Sequence, residues 1–229
     1  NEIAQKFRRG WSPKELRDKH RDTDSFLSPH NAEGAGDLLK NDIPNRLQEY
    51  IDNAEKFFER DVLDQHYTYS FLRGIEDAIK NSRALSKETN WDGLIKLLLS
   101  IKESGEATPF EKEKRERDSF DAWLAGWTAV HSGMTDVLQI LLREDSSGAI
   151  IDFPKYRDRI FSVISYLLEY PDPTPEREDP KDPMMSSSTS DGIQLVSDPF
   201  AIAINTTRGR AFQALVLFIY PDGKELPES

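Results

Sequence analysis

Residues 197–223 read SDPFAIAINTTRGRAFQALVLFIYPDG. Placed on a helix at about 100° per residue, Phe200, Ile204, Ala211, Leu215 and Phe218 share one apolar sector. Arg208 falls inside that sector, and Thr206, Arg210 and Gln213 take the other side. An arginine on an inward face needs a carboxylate or several carbonyl oxygens, because an unpaired buried charge costs several kcal/mol. Ser197 or Asp198 is the expected cap, with Pro199 at the first helical position and Pro221 beyond the end.

Outward from this stretch the chain keeps the same grammar. Phe153 to Tyr170 has Pro154 near its start and Tyr156, Ile160, Val163, Ile164, Leu167 and Leu168 on one face, a helix that Pro171 stops. A helix over Ser119 to Val130 gains its apolar side from Phe120, Trp123, Leu124 and Trp127. Gly133 should break or bend it before MTDVLQILLR. WDGLIKLLLSI, 91–101, is apolar almost all round, as in a helix covered on more than one side. His66 to Leu85 and Asp42 to Phe58 are amphipathic, with Asp42 as the expected cap of the second. WSPKELRDKHR, 11–21, has Ser12 as N-cap, Pro13 at N1 and Glu15 at N3. TDSFLSPHNAEGAG, 23–36, reads as a loop. Only Gly192 to Val196 is a strand candidate.

The expected fold is therefore all-α: antiparallel helix pairs, as a HEAT-like repeat array or an irregular helical bundle. It is read as a single domain over 1–229. Residues 1–36 form a basic N-terminal arm and loop, and 171–197 a linker or strap whose proline- and serine-rich part is PDPTPEREDPKDPMMSSSTSDG, 171–192. The first residue is Asn, so the chain reads as a fragment of a longer protein.

Composition narrows the function. The 229 residues carry no cysteine and a net charge of −11, which removes thiolate metal sites, disulfides and cysteine nucleophiles together. Residues 1–21 hold seven Lys or Arg against three acids, a balance of +4 that leaves −15 on the rest. The basic arm is expected to dock on its own acidic body, and that body argues against nucleic acid as a partner. The longest apolar run, Ala214 to Tyr220, is far below the roughly 18 residues of a membrane span, and nothing at the N-terminus reads as a secretory signal. The expected location is the cytoplasm.

Three pieces, HYTYSFLRGIEDAIKNSRAL, EYPDPTPERED and DPFAIAINTTRGRAFQALVLFIY, resemble helical segments of very large prokaryotic multidomain proteins, some carrying a nucleotide-binding domain of the STAND type and connected with defence. The resemblance implies a non-catalytic helical array attached to switch or effector domains elsewhere. The chain itself has no G-x-x-x-x-G-K-[ST] phosphate loop.

No catalytic residue, cofactor or metal site is expected. The four histidines show no metal-ligand spacing; Asp64 with His66 reads as a helix-end polar pair, and His131 as a satisfied, partly buried histidine. Arg208, Gly209, Arg210 and Asn205 are structural or anion-binding candidates, and Trp123 and Trp127 candidate groove aromatics. The expected function is a scaffold or recognition module that holds a protein partner or neighbouring domains of the same chain. The alternative is a ligand-binding or enzymatic domain with an anion pocket around Arg208 and Arg210.

Overall fold

The computed structural model of the chain describes residues 2–20, 31–59, 62–81, 85, 88–104, 124–145, 148–173, 186–188, 194–196 and 204–220. The fold is all-α. Two short helices open it, α1 (Glu2–Arg8) and α2 (Pro13–His20). The turn between them uses Gly10 at φ 103°, a conformation open to glycine. The α2 N-terminus is a reciprocal cap: Ser12 Oγ accepts from the Glu15 amide (3.3 Å), and Glu15 Oε2 accepts from the Ser12 and Gly10 amides (3.1 and 3.0 Å). The basic arm is bound to the body, as expected. Apolar packing and ion pairing act together: Phe7 is buried against Trp11 and Tyr67, while Arg8 donates to the Lys56 carbonyl (3.0 Å) and pairs with Glu59 (3.0 Å).

The loop expected over 23–36 is overturned at its end. Asn31 accepts from the Gly34 amide at 2.7 Å and caps α3 (Ala32–Asp42), so Gly34 and Gly36 lie inside a helix. A Cβ on Gly36 would sit 2.5 Å from Ser70 Oγ; the glycine lets α3 approach α5 (Gln65–Asn81) closely. Asp42 stands at the expected N-cap position, with the next turn starting at Ile43, but its side chain makes no capping bond. It ends α3 in helical conformation, and its carboxylate accepts from the Tyr50 hydroxyl and from Arg46. The chain tightens to a 3-10 turn at Ile43–Arg46, where Pro44 removes a donor, then continues as α4 (Leu47–Asp52) and a second 3-10 turn, Ala54–Phe57.

Beyond α5 come α6 (Asp92–Ser104), α7 (Trp127–Leu142), α8 (Phe153–Glu169) and α9 (Thr207–Ile219). Trp91, fully buried, anchors α6 by donating from its indole to the Ile150 carbonyl (2.9 Å), and its amide bonds the Tyr156 hydroxyl (3.2 Å). Gly133 does not break α7, which runs through it; its absent Cβ faces Leu72 at 3.4 Å. Asp152 caps α8, with Pro154 in the first turn. Ile204 and Asn205 are helical, the chain bends at Thr206, and the last helix runs from Thr207. Its cap is Thr206, which accepts from the Gly209 amide at 3.3 Å, and residues 197–203 lie outside the described ones. So do 105–123, which carry Phe120 and Trp123.

The helices stack in two rows. One runs α3, α5, α7, α9; the other runs from α4 and its flanking turns through α6 to α8, and α9 leans across onto α8 as well. Buried apolar side chains form one cluster from Ala4 to Phe218. Two small antiparallel ladders complete the described residues: Glu144–Asp145 with Gly148–Ala149, and Ser186–Ser188 with Gln194–Val196. The second places the strand candidate in a pairing with the serine run of the linker. Among the described residues no helix is long and apolar enough to cross a membrane.

Candidate functional site

The two arginines of α9 point to different neighbours. Arg208 donates to the Pro173 carbonyl through Nη2, and its amide bonds the Asp172 carbonyl at 3.0 Å. Beside it the buried Asp172 carboxylate accepts from both the amide and the hydroxyl of Thr207, each at 2.8 Å. This clasp joins the chain just past α8 to the first turn of α9. A carboxylate there also opposes the positive end of the helix dipole.

Arg210, assigned by the helical wheel to the outer side, faces α7. Its Nη1 reaches both oxygens of Asp136 (3.0 and 2.9 Å) and the Ser132 hydroxyl (3.0 Å), and its carbonyl accepts from Gln139 Nε2 at 3.0 Å. Asp136 in turn meets Arg73 of α5 at 3.4 Å, and Arg73 and Lys80 both pair with the buried carboxylate of Glu76. The result is an ion-pair ladder across α5, α7 and α9. Burial holds the Asp136 carboxyl above its ordinary range, against the pull of Arg210; the nearby Glu76 adds to the rise and Arg73 opposes it.

The other expected residues fall around this seam. Gly209 serves the Thr206 cap, and Asn205 is exposed just before it. Ile204, placed in the buried sector by periodicity, is exposed, because the inward residues of α9 are Thr207, Ala211, Ala214 and Phe218. Trp127 begins α7 half-buried, edge-on to Phe58 at 6.0 Å. Trp123 and Phe200 lie outside the described residues.

His131 is fully buried, and both ring nitrogens are engaged. Nδ1 lies 2.6 Å from the Trp127 carbonyl, an acceptor only, so Nδ1 carries the proton and Nε2 accepts from the Tyr166 hydroxyl at 2.9 Å. The ring stacks on Tyr170 at 4.0 Å, and burial pushes its pKa down to about 4. Asp64 and His66 form the expected helix-end pair, Asp64 Oδ1 accepting from the His66 amide at 2.8 Å.

Sequence reasoning missed Asp136 and Asp172. For Asp136 there was no local signal, since its partners lie 63 and 74 residues away. Asp172 had one, a lone acid between prolines directly after a helix stop. No protein-family model, curated protein or solved structure matches the chain.

Proposed function

We propose that the chain is a non-catalytic helical scaffold or recognition module of a larger multidomain protein, mediating protein–protein or interdomain contacts. The observation that carries this reading is the outer side of α9. Phe212, Val216 and Ile219, at i, i+4 and i+7, are all exposed, whereas soluble proteins seldom leave such a contiguous stripe open without a use for it. An anion pocket would draw on Arg208 and Arg210, and both already donate to oxygens of the chain itself. The resemblance to helical arrays in large prokaryotic proteins fits a role in which neighbouring domains supply the contacts.

Photo-crosslinking from the parent protein in its own cells tests this. A benzophenone side chain at Val216 should give adducts to a partner or to another domain, and one at the exposed Lys96 of α6 should not. Equal yields from both positions, or none from Val216, would refute the proposal. In parallel, inorganic phosphate should leave the melting temperature unchanged; a rise abolished by Arg208→Gln would favour the anion pocket instead.

A further inference from the structure

Five charged side chains cross the row of α5, α7 and α9 in alternating order: Lys80, Glu76, Arg73, Asp136 and Arg210. The two signs sit at different depths. The side chains of Glu76 and Asp136 are 5% and 17% exposed, whereas those of Lys80, Arg73 and Arg210 are 50%, 33% and 30% exposed. Carboxylates therefore lie at the bottom of the line and cations at its rim. α7 has no acid besides Asp136 and α9 has none; the other acid of α5, half-buried Asp77, pairs with none of the three cations. Each arginine is also engaged on one edge only. The contacts of Arg73 with Glu76 and Asp136, and those of Arg210 with Asp136 and Ser132, all run through Nη1. Nε and Nη2 of both bond to nothing among the described residues, and none of these nitrogens is buried.

We infer that this line binds an extended acidic segment of a partner protein, with carboxylates at alternate residues gripped by Arg73 and Arg210 and a further one drawn to Lys80. The inference rests on the recognition-module reading and adds the chemistry recognised. The edge between Nε and Nη2 is the one whose parallel N–H bonds hold a carboxylate in a fork. Here two such edges are open while Nη1 of each group is tied to a carboxylate below, so the arginines lose little freedom when a ligand arrives. Spacing argues for an extended ligand. Arg73 and Arg210 meet the same oxygen, Asp136 Oδ2, at 3.4 and 2.9 Å, which sets their Nη1 atoms no more than two such contacts apart. Side chains two residues apart on an extended chain leave it on one side about 7 Å from each other. Binding depends on these close contacts, because the net charge of −11 on the whole chain repels an acidic ligand at long range.

The probe is a labelled synthetic peptide of roughly nine residues with glutamate at alternate positions and threonine between them. It is used at about 0.15 M salt, where the charge of the body is screened beyond about 8 Å. Fluorescence anisotropy with the full chain should show sub-millimolar binding, and a glutamine-for-glutamate peptide should bind at least about tenfold more weakly. Arg73→Lys and Arg210→Lys keep a cation beside Asp136 but lose the fork, and each should weaken binding by about fivefold or more. Arg208→Lys should leave it unchanged. Nuclear magnetic resonance reads the unsubstituted chain directly: the Nε–H signals of Arg73 and Arg210 should move with the acidic peptide, and that of Arg208 should stay. No binding at about 1 mM peptide, equal binding of the glutamine form, or unmoved Arg73 and Arg210 signals overturns the inference. So does equal displacement by an oligonucleotide of the same charge, because the line would then be a general polyanion site. Crosslinks from Val216 with a failed peptide series leave the scaffold reading standing and remove the acidic segment; peptide binding without such crosslinks does the reverse.

Discussion

Asp172 and Thr207 lie 35 residues apart in the chain and meet through two hydrogen bonds of 2.8 Å, one from the Thr207 amide and one from its hydroxyl. Both ends are buried, so removing the carboxylate leaves two donors and a helix terminus unserved. Asp172→Ala should cost about 2 to 4 kcal/mol in urea unfolding, whereas Thr207→Val, which keeps the amide bond, should cost about 1. Equal losses for the two variants would show that the amide bond contributes nothing.

Arg210 and Asp136 should couple strongly. Asp136→Ala strands Arg210 and relieves only part of Arg73, and should cost about 2 to 3 kcal/mol; the partial exposure of the cations keeps it below a fully buried pair. Arg210→Met, which leaves a packed aliphatic chain, should cost about 1 to 2. A double-mutant cycle should return a coupling of about 1 kcal/mol or more. Arg208→Met, which loses the bond from Arg208 to the Pro173 carbonyl on the other side of the helix, should couple to Asp136 not at all.

His131 gives the fold an acid-sensitive seam between α7 and α8. Its folded pKa of about 4 lies below the ordinary 6.5, so the unfolded chain takes up a proton first as pH falls. The contribution of the neutral ring is complete above pH 6.5 and is lost progressively down to about pH 4. Between pH 7 and pH 5 the loss should be about 2 kcal/mol. Urea midpoints of the native chain should drop over that interval, and those of His131→Gln should drop less.

Three glycines should answer alanine differently. A Cβ on Gly93 would lie 2.1 Å from the Ile51 carbonyl oxygen, a backbone atom with no room to yield, and Gly93→Ala should cost about 3 kcal/mol. Gly36→Ala meets the movable Ser70 hydroxyl and, at 2.9 Å, the His66 ring, side chains that can shift, and should cost about 1 to 2. Gly133→Ala meets Leu72 at 3.4 Å and Tyr69 at 3.7 Å, both ordinary contacts, and the gain in helix propensity should leave it neutral or more stable by up to about 1 kcal/mol. Thermal melts of the three variants give the order directly.

The elements were largely legible where local rules decide them. Ser12 with Glu15 is a terminus whose partners lie within three residues, so the sequence carries the whole interaction, and Pro154 marked the start of α8 although its cap, Asp152, went unread. Errors cluster where a distant neighbour overrides the local reading. Gly34 and Gly36 look like breakers until α5 requires a close approach, and Gly133 is harmless in a helix already held on both flanks. The phase of α9 was read from a sector that counted Phe200 and Ile204; with the cap at Thr206, Arg210 rather than Arg208 meets the carboxylate. Two apolar faces on one helix blur its periodicity, and the stripe of Phe212, Val216 and Ile219 was the signal passed over.

The Asp172 clasp also separates chain length from architecture. Asp172 and Pro173, just past α8, are bonded to Thr207 and Arg208 in the first turn of α9, so the stretch joining them begins and returns at the same point of the fold. The last helix is thus fastened to the body by its own bonds as well as by the polypeptide, so a single proteolytic nick in that stretch should leave α9 seated on its neighbours.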